Sequence, residues 1–378
     1  IFQKKYYKIG VNMMNEIMTF TVADLFCGIG GFSKGFEEAG FNVLFGIDLW
    51  KIALETFKHA HKNSDGVLSD LTKLDDSFFR KYQNKIDVVI AGPPCQGFSM
   101  SGKRDSQDER NTMYESVAKS VAIMNPKIIL LENVVGLLSM KSLKGNSIKD
   151  LIIKRFEDLG YKVEYKVLNA SDFGVPQSRK RVIFMCSKIG DVSFPTPTHN
   201  DKPYVTVDGI AIKKKITVGD ALGNIPDVGK NVYLTPKTEY QKRMGKKKEI
   251  LNHDKMNHNP EVLKRISLVP PGGNWKDIPK KYYNVGGEHS NNYRRLDPKK
   301  PAVTIKHAIK SMIIHPKYDR VIGVREVARL QSFDDSFELF GTKSDQHQQL
   351  ANAVPPLLGY ALANHLKQFL KKKSSDTN

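Results

Sequence analysis

Between residues 19 and 188, short apolar runs alternate with longer stretches of mixed polarity, and this rhythm restricts the fold more than any other feature. Thr21-Val22-Ala23-Asp24-Leu25-Phe26 reads as a buried strand. A glycine-rich turn follows, then a helix over 31–39 that Gly40 ends. A second strand over 43–48 closes on an acid, Asp48, and further strands are expected at 86–91, 127–132, 162–168 and 181–186. Helices are expected at 50–61, 112–124 and 145–159. Strands alternating with helices predict an α/β fold with a mostly parallel sheet and helices on both faces. In such open sheets, ligands bind at the carboxyl ends of the strands.

The texture changes near Gly190. Residues 190–300 are rich in Pro, Gly, Asn, Lys and Tyr without steady periodicity, which suits short strands separated by loops in a smaller domain. Regular order returns near Gly323, with helices expected at 323–332 and 346–370. The division predicted is an extension over 1–18, a catalytic domain from 19–188 plus 323–372, a small domain over 189–322, and a disordered tail that begins near Lys371, with 373–378 outside the fold.

At 378 residues the chain can bury one large core or a core plus a smaller domain. No apolar run approaches the roughly 20 residues that span a bilayer, and no long apolar region follows the basic first eight residues. Three cysteines without metal-like spacing suit a reducing cytosol, and no metal site is expected. The net charge of +19 points to a polyanionic partner. Residues 201–310 hold 23 Lys and Arg against 11 Asp and Glu, so +12 falls in under a third of the chain.

Gly92-Pro93-Pro94-Cys95-Gln96-Gly97-Phe98-Ser99 follows the apolar run 87–91. Two prolines fix φ and remove two backbone donors, so Cys95 is held out of the sheet at its carboxyl edge. As a nucleophile there it is compatible with protease, oxidoreductase or transferase chemistry. Cys27 and Cys186 sit among apolar neighbours and read as small core residues. In the turn Asp24-Leu25-Phe26-Cys27-Gly28-Ile29-Gly30-Gly31, glycines let the backbone approach a ligand at a helix amino terminus. Ser33 stands where a dinucleotide fingerprint needs its third glycine, so NAD is a poor match. Asp48 is placed to accept from ribose hydroxyls, and Asp70 from an adenine amino group. A tight turn with helix-capping acids would look similar. Glu132 ends another apolar strand, where a dry pocket would let it hold or donate a proton near neutral pH. Arg179 and Arg181, two apart in a strand, point to one side and suit an anionic or carbonyl-bearing substrate.

Taken together, these segments resemble the DNA (cytosine-5)-methyltransferases of bacterial restriction–modification systems. Asp24 to Gly31 resembles their cofactor motif, and Gly92 to Ser99 their Pro-Cys nucleophile motif. Glu132-Asn133-Val134 and Gln177-Ser178-Arg179-Lys180-Arg181 match two more. Arg325-Glu326-Val327-Ala328-Arg329-Leu330-Gln331 and Gln349-Leu350-Ala351-Asn352-Ala353-Val354-Pro355 match those that follow the variable region. The resemblance covers roughly 19–188 and 290–370, with six motifs in the family's order.

The resemblance implies a Rossmann-like, S-adenosylmethionine-dependent methyltransferase sheet with a smaller, irregular β-rich target-recognition domain. It implies S-adenosyl-L-methionine as methyl donor, S-adenosyl-L-homocysteine as product, and a cofactor pocket lined by Phe26, Gly28, Ile29, Gly31, Asp48, Leu49, Asp70, Leu71, Pro94, Asn352 and Ala353. Cys95 would attack carbon 6 of a flipped-out cytosine, Glu132 would face ring nitrogen 3, Arg181 would hold the ring carbonyl, and Arg179 would support the site. Gln96, Ser99, Arg104 and Arg110 on the nucleophile loop, and Asn291, Arg294 and Arg295 in the small domain, are expected to touch DNA. The partner expected is double-stranded DNA, with a restriction endonuclease acting on the same site, and the enzyme is expected to be a cytoplasmic bacterial monomer. An RNA cytosine methyltransferase and a non-catalytic DNA-binding module are the competing readings.

Overall fold

The computed structural model describes residues 19–94, 113–142, 145–230, 232–245, 247, 249–254, 256–283 and 291–375, with side chains to 372. Seven strands form the main sheet: β1 (Thr21–Leu25), β2 (Asn42–Asp48), β3 (Asp65–Leu68), β4 (Val88–Ala91), β5 (Ile128–Val134), β6 (Lys162–Asn169) and β7 (Lys180–Ser187). Their order is β3-β2-β1-β4-β5-β7-β6. β1 to β5 pair in parallel, and β7 runs antiparallel to both β5 and β6. The carboxyl ends of β1 to β6 therefore share one edge with the start of β7.

Both faces of the sheet are covered, and the central strands show it residue by residue. Val22, Val88, Ile90, Ile128 and Leu130 pack into one apolar cluster, while Ala23, Leu25, Val89, Ala91, Ile129 and Leu131 pack into another. Side chains alternate across a strand, so a run apolar at every position must be buried on both sides. Helices α1 (Gly31–Glu38) and α2 (Lys51–Ala60) cover the first face through Phe32, Phe36, Leu54 and Phe57. Helices α3 (Asp76–Arg80), α4 (Met113–Met124) and α5 (Ile148–Glu157) cover the second through Phe79, Val117, Val121, Ile152 and Phe156. Full burial of each such side chain stabilises the fold by roughly 1.5–3 kcal/mol.

A separate sheet, in the order β8-β10-β9, is built from β8 (His199–Asn200), β9 (Tyr204–Val205) and β10 (Ala211–Lys214). Short helices α6 (Val218–Leu222), α7 (Glu239–Met244) and α8 (Pro260–Ser267) follow, separated by loops. Ile266, Leu296, Ile305 and Ile314 of this region join the apolar cluster that contains Phe36.

The chain then returns through α9 (Val324–Leu330), α10 (Lys343–Asn352) and α11 (Pro356–Ser375). The single helix expected over 346–370 is two helices. Pro355 and Pro356 carry no backbone N–H, so α10 cannot continue through them, and Pro356 instead opens α11. The disordered tail expected from Lys371 is also corrected, because α11 runs on to Ser375. Buried Leu366 and Leu370 anchor its later turns, and Lys367 Nζ donates to the Ala39 carbonyl at 2.7 Å. No helix among the described residues is long and apolar enough to cross a membrane.

Candidate active site

Three loops at the carboxyl edge build one half of the site. The turn after β1 folds back onto β2: Gly28 N–H donates to Asp48 Oδ2 at 2.7 Å, and Trp50 N–H donates to Asp48 Oδ1 at 2.8 Å. Burial pushes the Asp48 carboxyl up, and these backbone donors counter only part of it. A Cβ built on Gly28 would meet nothing within 4 Å, so open space lies above the turn. Leu49, at the end of β2, is 68% exposed and offers an apolar surface beside Asp48. Asp70 Oδ1 accepts from the Thr72 hydroxyl at 2.7 Å and from Thr72 N–H at 2.9 Å, which holds its carboxyl below the usual range and spends one oxygen on its own turn. Ile29 and Leu71 send their side chains into the core, while Phe26 is half-buried at the turn.

The fourth wall comes from more than 300 residues away. A Cβ on Gly31 would lie 2.3 Å from the Val354 carbonyl oxygen, so the segment after α10 presses directly on the start of α1. This brings Asn352 and Ala353 to the turn. Asn352 is exposed, with Oδ1 accepting from Gln348 Nε2 at 2.9 Å. An open cradle, a carboxylate and an exposed apolar side chain suit a nucleoside with a polar sugar, as S-adenosylmethionine has. Bound there, it would supply a methyl group on an electrophilic sulfonium.

The other half lies over β4, β5 and β7. Pro93 and Pro94 line a pocket with Tyr114, Leu131, Glu132, Asn133 and Phe184. Burial pushes the Tyr114 hydroxyl up to about 12. A Cβ on Gly92 would lie 3.7 Å from Glu132 Oε2, which sets the start of the Pro-Pro loop against that carboxylate. Asn133 Nδ2 donates to the Pro93 carbonyl at 3.3 Å and braces the loop. Arg181 Nε lies 2.8 Å from Glu132 Oε1, with both side chains largely shielded.

The two arginines expected on one side of a strand are used differently. Arg179 is buried and its Nη2 donates to the Ala351 carbonyl at 2.9 Å, which ties the start of β7 to α10. Arg181 faces Glu132. Arg295 is a correction to the expected DNA contacts. It is 5% exposed, and its guanidinium donates to the carbonyls of Val269, Ile266, His315 and Tyr318 and pairs with Asp319 at 2.6 Å. A loop region short of regular hydrogen bonds needs such a buried donor hub. Asn291 and Arg294 are partly exposed. Cys95, Gln96, Ser99, Arg104 and Arg110 lie outside the described residues.

Sequence reasoning passed over Asp24. Its Oδ2 accepts from Ser33 Oγ at 2.6 Å beneath the cofactor turn, and burial pushes its carboxyl up to about 7. The signal was available, since an acid inside an apolar strand needs a partner. It also passed over the work of Arg325 and Arg329, which are buried in α9. Arg329 pairs with Asp335 and donates to the Ala221 carbonyl and Asn224, joining α9 to α6.

Residues 20–368 match the profile of the C-5 cytosine-specific DNA methylase. The chain belongs to this family. Its reaction is accordingly methyl transfer from S-adenosyl-L-methionine to carbon 5 of cytosine in DNA. Among the family's curated members, the Type II methyltransferase M1.HphI of Haemophilus parahaemolyticus is 38% identical over 352 residues, spanning 92% of this chain and 86% of that protein. The Type II methyltransferase M.DdeI of Desulfomicrobium norvegicum is 34% identical, spanning 93% and 89%. A solved structure assigned as a prophage-encoded DNA modification methyltransferase (E. coli) superposes with a TM-score of 0.71 at 26% identity, covering 93% of this chain and all of that one. Cys27 and Cys186, the family chain's two described cysteines, are buried with thiols pushed up by burial, as core residues should be.

Proposed function

We propose that this methyltransferase works through a covalent Cys95 adduct on a flipped-out cytosine and modifies DNA as the protective half of a restriction–modification system. The observation that carries the reading is the Glu132–Arg181 pair, set beside Pro93 and Pro94 at the sheet edge. Carbon 5 of cytosine is a poor nucleophile. Attack of the Cys95 thiolate on carbon 6 turns the ring into an enamine, and carbon 5 can then take a methyl group. Glu132 faces ring nitrogen 3 and meets the charge that builds during attack, and Arg181 holds the ring carbonyl oxygen. A base then removes the carbon 5 proton, and the sulfur leaves by elimination.

Phe26, Gly28, Gly31, Asp48, Leu49, Asp70, Pro94, Asn352 and Ala353 are the residues assigned to hold the methyl donor, with Ile29 and Leu71, whose side chains are buried, contributing backbone only. Carbon 6 is unreachable inside a duplex, so the base must leave the stack at a cost of a few kcal/mol. Contacts from Gln96, Ser99, Arg104, Arg110, Asn291 and Arg294 are assigned to offset it. Residues 189–322 serve as the target-reading domain, and the chain acts as a monomer in the bacterial cytoplasm alongside an endonuclease of the same target. That role follows the Type II relatives and the excess positive charge of residues 201–310.

Duplex DNA carrying 5-fluorocytosine tests the mechanism. Fluorine at carbon 5 cannot leave as a proton does, so a covalent complex accumulates. The wild type should form a denaturation-resistant adduct, and Cys95→Ala should form none. Equal adduct or equal tritium transfer by the two proteins would sink the assignment, and methylation of transfer RNA without methylation of duplex DNA would reverse the substrate.

A further inference from the structure

The floor beneath the cofactor turn is made by one helix. α2 begins just after Asp48, and its far end places His61 under Gly30. Gly30 has a left-handed backbone, φ +79, and stands immediately before α1. A Cβ there would lie 2.1 Å from His61 Nε2 and 2.7 Å from Phe57 Cδ2, so the imidazole edge touches the glycine backbone itself. Phe57 and His61 pack ring on ring, with centroids 4.5 Å apart. The imidazole is latched from the other side, since its Nδ1 lies 2.8 Å from Glu37 Oε2 on α1. The His61 side chain is 1% exposed, yet its Nε2 is buried with no hydrogen-bond partner.

That orphan nitrogen needs a reason. Buried polar atoms are nearly always paired, and leaving one unpaired is unfavourable. A leucine would occupy much of the same space without it. What an apolar side chain cannot do is donate a hydrogen bond to Glu37, which fixes the ring's rotation and ties the end of α2 to α1.

We propose that His61 is a positioning residue for the cofactor turn. Held by Glu37, its ring keeps Gly30 in the left-handed conformation from which α1 presents its first backbone amides to S-adenosylmethionine. Asp48, the last residue of β2, holds the Gly28 amide of the same turn. The turn is thus held by the residues that flank α2, Asp48 before it and His61 after it. The inference rests on the reading of Gly28 to Gly31 and Asp48 as the cofactor site.

Calorimetric titration of the full chain with S-adenosylhomocysteine, without DNA, tests this apart from activity. His61→Leu removes the orphan without adding atoms against Gly30, so its melting temperature should stay near the wild-type value while affinity falls about tenfold or more. Glu37→Ala, at a partly exposed position, should weaken binding in the same direction. Glu37→Gln, which can still accept from Nδ1–H, should restore it. Wild-type affinity in both His61→Leu and Glu37→Ala would overturn the proposal and leave the ring as packing. Wild-type affinity in Asp48→Ala would instead overturn the assignment of the cofactor site.

Discussion

Arg181 and Glu132 meet across the antiparallel step between β7 and β5, Nε to Oε1 at 2.8 Å, with side chains 13% and 11% exposed. Each strand is hydrogen-bonded on both sides, so neither backbone can drift. The pair is therefore a preorganised arrangement of charge, which is the form of electrostatic help that costs no reorganisation during reaction.

Removing either member should damage the same step. Arg181→Ala and Glu132→Gln are each expected to lower the single-turnover rate by about a hundredfold or more. The double variant should lose much less than the product of the two, because the groups act as a unit. Single-turnover methylation with saturating cofactor measures this, and strictly multiplicative losses would contradict it.

Neighbouring arginines should separate cleanly. Arg295→Ala leaves four carbonyls and Asp319 without their donor, and should destabilise the fold by about 3–5 kcal/mol. Arg294→Ala should leave the melting temperature alone, weaken DNA binding, and reduce the salt slope by about one. Urea denaturation and binding at several salt concentrations distinguish the two.

Gly31→Ala should fail at the seam between α1 and the closing segment. The new methyl would stand 2.3 Å from the Val354 carbonyl, and a backbone oxygen cannot swing aside as a flexible side chain can. We expect a loss of about 1–3 kcal/mol in stability together with weaker cofactor binding. Unchanged thermal melting would show that the seam yields.

Acid should remove the stability that Glu326 contributes. Burial alone would raise its carboxyl, but two hydrogen bonds from Arg320 and one from the Gly323 amide, with His315 nearby, hold it down to about 2. A depressed carboxyl contributes stability that is present above its unfolded value of 4.5 and lost as pH falls toward about 2. Urea midpoints between pH 2 and 6 should fall with acid in the wild type, and Glu326→Gln should be less stable at neutral pH with a flatter acid limb.

Asp24 has the opposite sign. Its carboxyl rises from 3.8 to about 7 in the folded chain, so folding favours the protonated form. Stability is then largest below the unfolded value and falls as pH rises toward about 7. Asp24→Asn should remove that slope, measured as urea midpoints at pH 5 and pH 8, and an identical slope in both proteins would refute it.

Most strands of the main sheet and the longer helices covering them are legible in the linear chain because each rests on local rules, whereas β3 and α3, four and five residues long, are too short to set up a pattern. A short apolar run bounded by turn residues reads as a buried strand, a glycine turn suits the start of a helix, and a proline interrupts the helix that precedes it. The break at Pro355–Pro356 was equally local, yet the apolar periodicity on either side of it suggests one helix and hides the stop.

What the chain by itself determined is its family, because the glycine turn and the motifs that end the apolar strands are short local patterns that match it. Only the tertiary structure decided which of two adjacent arginines is a structural hub and which faces solvent, since Arg294 and Arg295 have the same propensities and differ only in burial. It alone brought Val354 onto Gly31, His61 under Gly30, and Arg179 to Ala351. Those contacts join residues 31 to more than 300 positions apart, and no local pattern encodes a distance that only the packing of helices on the sheet brings about.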